Sequence, residues 1–273
     1  MWDFEHGETR AQLKQQFDVT YTIPSSCAEA LRVGSADIGI IPVAAFATLP
    51  GLVILPGVAI AALNAVRSIL LVSWKALEEV KTVALDTSSM TSVALCKVLL
   101  AKWLGGAREY RPMAPDLETM LSSCDAALLI GDPALLIRRE NYPTVIDLAE
   151  EWRRHTGKPF VFAFWAIRED AIAEAGIDFG TPSQAVLRLS EVFQSSRDHG
   201  LALGSLRYIA SDWSRRLGMN RDEVISYLTT NIHYFLDQAC QEGLRLFYDY
   251  AEQVGALPLK FSEVSSYGIS PSS

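Results

Sequence analysis

Residues 81–100 read KTVALDTSSMTSVALCKVLL, and this stretch decides the fold class. Its opening, residues 82–85, is a short apolar run that predicts a buried strand. A polar turn follows at residues 86–92, and then a helix running to about residue 104. Five of the seven turn residues, Thr87, Ser88, Ser89, Thr91 and Ser92, carry a hydroxyl, and Asp86 is the turn's single carboxylate. The first turn of a helix holds amides without intrahelical acceptors and the positive end of the dipole. A carboxylate or phosphate placed there meets both, and neutral hydroxyls add donors. Capping a helix needs only one such residue. Two readings therefore stand for this turn, an anion clamp and a plain cap.

Outward from this unit the chain alternates. Residues 2–17 predict a short helix with Phe4, Leu13 and Phe17 as apolar positions, and 17–23 (FDVTYTI) alternate like a strand. Pro24, Ser25 and Ser26 open a helix over 27–33 that Gly34 ends. Residues 37–42 (DIGIIP) predict a buried strand, 43–49 a short helix, and 52–60 and 66–73 two further strands, with a polar connector at 74–80. Beyond the opening unit, strands are expected at 109–112, 125–130, 145–147 and 159–167, with helices at 115–123 and 148–155. This alternation argues for an α/β fold built on a parallel sheet. From residue 168 the pattern is helical, over 181–196, 201–217, 220–236 and 238–255. Asn220 and Glu223 form a capping-box signature for the third of these. Residues 262–273 are Ser-rich and read as a frayed tail.

The 273 residues are 49% hydrophobic and 21% charged, enough apolar content for one large or two smaller cores. Net charge is −8 and no Lys/Arg run stands out, which argues against nucleic acid as a partner. The four cysteines and four histidines form no CxxC, HxxxH or HExxH pattern, so no metal is expected. The apolar run at 49–71 is broken by Pro56, Gly57, Asn64 and Arg67, and reads as strands and loops rather than a membrane span. Residues 1–10 (MWDFEHGETR) lack the basic and apolar regions of a signal peptide. A soluble cytoplasmic protein, monomer or homodimer, is the expectation.

Strand ends with short polar loops recur at Ile41-Pro42, Leu85-Asp86 and Ile130-Gly131. Ligands gather at the carboxyl ends of strands in open α/β sheets. Fold alone does not separate a binding protein from an enzyme.

Several segments together resemble one family. DTSSMTSVALCKVLL (86–100), SCAEALRVGSADIGIIPVAAFA (26–47), DAALLIGDPAL (125–135), EWRRHTGKPFVFAFWAIR (151–168) and NIHYFLDQACQEGLRLFYDYAEQVGAL (231–257) are similar to segments of the chorismate dehydratases of the futalosine route to menaquinone. The resemblance spans nearly the whole chain. It implies a two-lobed α/β fold like type II periplasmic binding proteins, with mixed and parallel sheets flanked by helices. One lobe would take residues 1–72 and 169–273, the other 73–168. It implies loss of water from chorismate to give 3-[(1-carboxyvinyl)oxy]benzoate, with no cofactor. A sister family making dihydroxynaphthoate carries a histidine where this chain has Ile130-Gly131-Asp132. The family also begins with a strand and a loop of the form Ser-Tyr/Phe-Leu-Asn, whose asparagine is placed at the reacting end. This sequence starts at Met1-Trp2-Asp3-Phe4, about where that loop ends, so the expectation is a true start upstream.

A dicarboxylate substrate then sorts the candidate residues. Ser88, Ser89, Thr91 and Ser92 would bind one carboxylate. Arg67 either pairs with the other bidentately or belongs to a structural ion pair. Gly131 and Asp132 end a strand facing the cleft, where Asp132 either orients a hydroxyl, takes a proton, or caps the next helix. Pro42 and Val43 would shape the floor. His155 and His233 read as surface or core residues rather than bases, and Phe164 and Trp165 as core or as lining of the crossover. A carboxylate-binding protein without chemistry, or an inactive homologue, is the competing reading.

Overall fold

A computed structural model describes residues 1–174 and 181–257; the expected tail at 262–273 lies outside them. The chain runs α1 (Trp2–Glu5), α2 (Arg10–Gln16), α3 (Pro24–Val33), β1 (Ile38–Pro42), α4 (Val43–Phe46) and β2 (Leu52–Ala62). It continues through β3 (Ile69–Ser73), β4 (Thr82–Asp86), α5 (Met90–Lys102), β5 (Glu109–Met113), α6 (Leu117–Ser123), β6 (Ala126–Ile130) and α7 (Asp132–Leu135). Then follow β7 (Thr144–Asp147), α8 (Leu148–Thr156), β8 (Phe160–Arg168), α9 (Glu169–Glu174), α10 (Pro182–Leu201), α11 (Leu203–Leu217), α12 (Arg221–Ser226) and α13 (Gln238–Gln253).

The strands form two sheets, β1-β8-β2 and β5-β4-β6-β3-β7. Only β4 pairs in parallel, with β5 and β6; every other pairing is antiparallel. The fold is therefore mixed α/β with mixed sheets flanked by helices, and the parallel pairing that the alternation argues for is confined to β4, β5 and β6. The nine-residue β8 returns between β1 and β2 and forces both of those pairings to be antiparallel. Sheet membership also bears on the division into lobes. β3 (69–73) belongs to the five-stranded sheet and β8 (160–168) to the three-stranded one, so the chain passes between sheets near 63–68 and 148–159. The apolar run at 49–71 supplies β2 and the start of β3, and among the described residues no helix is long and apolar enough to cross a membrane.

Two further expectations give way. Residues 17–23 are extended but pair with no strand, and Tyr21 and Ile23 are exposed. The alternation there reports that Phe17 and Val19 pack against the cluster that holds Phe4, Leu13 and Phe193, not a ladder. The helix expected over 220–236 keeps its capping box at Asn220–Glu223 but ends at Ser226. A π turn covers Tyr227–Asn231, and the following residues turn aside to the edge of β2. There Ala61 and His233 exchange backbone hydrogen bonds of 2.8 Å, and the Ala59 amide donates to the Tyr234 carbonyl. Tertiary pairing has overridden a helical pattern, as marginal helix propensity allows.

One buried core runs through both sheets, from Ile41 and Phe164 on the smaller to Leu71, Val83 and Leu128 on the larger, with α5, α8 and α13 between. Trp152 of α8 is fully buried, and its indole N–H donates to the Pro159 carbonyl at 3.1 Å. Helix α13 closes over the same turn through Gly243. A β-carbon at Gly243 would collide with the Pro159 carbonyl oxygen, a backbone atom that cannot swing away. Gly243→Ala is therefore expected to cost about 1–3 kcal/mol of overpacking strain, read as a lower midpoint in denaturant unfolding against wild type; an unchanged midpoint would show that α13 shifts without penalty.

Candidate functional site

Topology gathers the polar segments at one edge. β4 and β6 are parallel and adjacent, so Asp86 and Ile130 end side by side. β3 is antiparallel to β6 and pairs Ile69 with Ile130, which brings its entrance, Arg67-Ser68, to the same edge. The Gly131 amide donates to the Ser68 carbonyl at 2.7 Å. β7 is antiparallel to β3 and delivers Asp147 there too.

Two buried carboxylates hold this edge together. Asp86 accepts from the Ser88 amide at 2.8 Å with one oxygen and from the Ile130 amide at 3.1 Å with the other. Asp147 accepts from Val66 and Arg67 amides at 3.2 and 2.7 Å, and caps α8 through the Ala149 and Glu150 amides. Arg139 approaches the same carboxylate at 3.4 Å. Capture of two successive amides shapes the Val66-Arg67 corner, where Arg67 has φ 65°, the left-handed region that side chains avoid.

The hydroxyl turn divides into two sides. Ser89 is the N-cap of α5 and accepts from the Ser92 amide at 3.3 Å, while its hydroxyl lies 3.1 Å from that of Ser92. Thr91 is fully buried, and its oxygen accepts from the Ala44 amide at 3.2 Å. Ser92 is buried as well. Thr87 and Ser88 are exposed. Thr91 and Ser92 thus point into the protein, and the open side of the turn consists of Thr87 and Ser88, with Ser89 half-buried. The amides of Met90 and Thr91, first in α5, have no intrahelical acceptor by position.

Pro42 and Val43 are buried and build the frame of α4 rather than a surface. The Val43 carbonyl accepts from the Tyr248 hydroxyl at 2.8 Å, and burial pushes that phenol's pKa up. Gly131, with φ 74°, is the N-cap of α7, and no side chain caps that helix. The capping role for Asp132 is therefore corrected: it is the first residue of α7, exposed, and among the described residues no group donates to its carboxylate. Arg67 forms no ion pair among the described residues, so the structural-pair alternative falls away. Its side chain lines a cavity of about 240 Å³ together with Leu70, Ala134, Leu135, Arg139 and Glu140.

The π turn adds residues that local sequence could not place. Tyr227 donates its hydroxyl to Ser68 Oγ at 3.0 Å. Burial pushes the Tyr227 phenol up, Ser68 pulls it down, and the charges of Asp132 and Arg67 act on it in opposite directions. Tyr234 is pushed up by burial and by its neighbour Tyr227. Asn231 donates to the Ala65 carbonyl at 2.9 Å. No short-range motif marks Ser68 or Tyr227, which are 159 residues apart. The histidines and aromatics settle elsewhere: His155 stacks on Trp103 at 4.8 Å, Phe164 packs on Phe46, and Trp165 packs on Phe193.

Asp86→Ala leaves the Ser88 and Ile130 amides without an acceptor. The expected cost is about 1–3 kcal/mol, carried mainly by the Ile130 amide, since Ser88 is exposed and water can replace its acceptor. Hydrogen exchange at those two amides should accelerate together, and acceleration at one alone would contradict a shared anchor.

A family model described as menaquinone biosynthesis matches residues 2–253. A chorismate dehydratase of Thermus thermophilus is 33% identical over 258 residues, covering 88% of this chain and 87% of that protein. A crystal structure of a protein from Archaeoglobus fulgidus superposes with a TM-score of 0.60 at 18% identity, over 91% of this chain and 93% of the other. The periplasmic aliphatic sulphonate binding protein of Escherichia coli gives 0.51 at 18% identity, over 93% and 84%. The structural likenesses show a fold of the periplasmic-binding-protein kind. The chain belongs to the menaquinone biosynthesis family.

Proposed function

We propose that this member of the menaquinone biosynthesis family is a chorismate dehydratase, a carbon–oxygen lyase giving 3-[(1-carboxyvinyl)oxy]benzoate and water. The observation that carries the reading is the sheet edge itself: Arg67, a guanidinium without an ion-pair partner among the described residues, shares it with an open hydroxyl turn at Thr87 and Ser88. A substrate with two carboxylates matches one cationic and one neutral donor set. The likeness to the Thermus dehydratase supports the same reaction.

In this reading Ser88, with Ser89 and the first amides of α5, receives one carboxylate, and Arg67 receives the other. Ser92 and Thr91 act from behind, Ser92 by bonding Ser89 and Thr91 by holding α4 against α5. Gly131, Pro42 and Val43 set the backbone that frames the site. Asp132 is the carboxylate this edge offers for the ring proton. Tyr227, kept protonated by burial, is a donor rather than a base. The reaction breaks a ring C–H bond and the bond from ring carbon to hydroxyl. The proton goes to the base, the hydroxyl departs with a proton as water, and the electron pair completes the aromatic ring. No oxidant is consumed, and aromatisation supplies the driving force. Positioning and proton transfer are the protein's share. Division into two lobes, joined through the crossings near 63–68 and 148–159, belongs to the same proposal.

The test is incubation of the protein with chorismate, following the aromatic product by ultraviolet absorbance and mass. Arg67→Ala is expected to weaken kcat/KM on the order of ten- to a hundredfold, the worth of a charge-assisted hydrogen bond. Ser88→Ala and Tyr227→Phe should each cost about tenfold or less. Tight binding of chorismate without product would overturn the dehydratase reading in favour of a binding protein.

A further inference from the structure

A second cluster lies away from this edge, where the π turn's exit meets α13. His233, Asp237 and Cys240 follow a His-x3-Asp-x2-Cys spacing that matches no common ligand motif. The fold nevertheless converges their donor atoms, one from each residue, to within 4.8 Å of one another. His233 is fixed by its backbone exchange with Ala61, and its Nε2 lies 2.9 Å from Asp237 Oδ2. Asp237 caps α13, its other oxygen accepting from the Cys240 amide at 2.8 Å. Cys240 is fully buried and closes the inner side, whereas the imidazole and carboxylate reach solvent.

From this geometry we propose that His233 Nε2, Asp237 Oδ2 and Cys240 Sγ form a site for a divalent transition-metal ion of zinc type. Mixed nitrogen, oxygen and sulfur donors suit that borderline-soft ion, which takes three protein ligands with water in the fourth position. Metal–ligand bonds of about 2.0–2.3 Å require donor separations of roughly 3.3–3.8 Å. The His–Asp hydrogen bond opens slightly to reach this, and Oδ1 keeps the helix cap throughout. Binding replaces the S–H bond of Cys240 by a sulfur–metal bond, and the proton leaves to solvent. Burial, with the Asp237 charge adding to it, pushes the free thiol up to about 12. The bare site therefore holds a protonated thiol, and the ion must displace that proton. An occupied site ties the crossing segment after Tyr227 directly to α13. It is independent of the substrate edge, and its failure would leave the dehydratase reading untouched.

The full chain, stripped with chelator, is titrated with Zn2+ against a chromophoric competitor, and separately with Co2+. One equivalent of Zn2+ is expected to bind with release of a proton, and the Co2+ form should show a thiolate-to-metal charge-transfer band. His233→Ala and Cys240→Ser should each weaken Zn2+ binding about tenfold or more, since losing even an outer partner of a metal ligand costs that much. Cys240→Ser should also abolish the band, while Cys124→Ser keeps it. His233 is partly exposed, so its variant tests the site even if the buried Cys240 variant unfolds. A Co2+ complex of the wild type without the band, or Zn2+ affinity equal in wild type and His233→Ala, would overturn the proposal.

Discussion

The carboxylate of Asp86 is the constraint on which the polar edge depends. Two parallel strands end beside each other there, and nothing in a β ladder dictates where the chains go next. Asp86 takes the second amide of one loop and the last strand amide of the other, so both loops leave from one fixed point. Burying a carboxylate is costly unless its lone pairs are met. These two amides meet them and would otherwise lack partners themselves. Because the anchor sits below the loop, the hydroxyls above it remain available. Thr91 and Ser92 use theirs inward, and Ser88 keeps its own facing out.

Asp147 does the same work three strands along, at the end of β7, with a different consequence. It collects the amides of Val66 and Arg67 on the entering side and those of Ala149 and Glu150 on the leaving side. An arginine at φ 65° is strained by about 1–3 kcal/mol, and charge-assisted hydrogen bonds to its own amide and the preceding one offset that. The backbone of Arg67 is consumed by this contact and its guanidinium is not. The same carboxylate that bends the chain is approached by Arg139 at 3.4 Å, while Arg67 forms no ion pair among the described residues.

Legibility in the sequence followed the range of the interactions. The β4–α5 unit, the Gly34 stop of α3, the capping box at Asn220 and the Gly131-Asp132-Pro133 turn are written in neighbouring residues, and they stand where local chemistry puts them. Asp86 stood in plain view within the turn, yet its role depends on Ile130, 44 positions away. Ser68 with Tyr227 and Val66 with Asp147 are likewise long-range pairs. The helical pattern through 227–236 misled because the competing partner, the edge of β2 at Ala59 and Ala61, carries no signal of its own. Antiparallel return of β8 was hidden for the same reason: strand direction is a property of the connection, not of the run PFVFAFWAI.

That diversion of the chain after Tyr227 has consequences beyond secondary structure. Had the helix continued, His233, Asp237 and Cys240 would lie at successive turns of one helix, as their spacing suggests on paper. Instead His233 is held by a strand edge, and Asp237 and Cys240 belong to the start of α13. Three donors from two separately anchored elements converge without a helix imposing their spacing. The same turn points the Tyr227 hydroxyl to Ser68 and places Tyr234 beside it. A single π turn, by releasing the backbone to pair with β2, therefore supplies a donor to the polar edge and one wall of the His233-Asp237-Cys240 cluster. Substitutions that straighten this turn act on both, whereas substitutions at either group of side chains act on one.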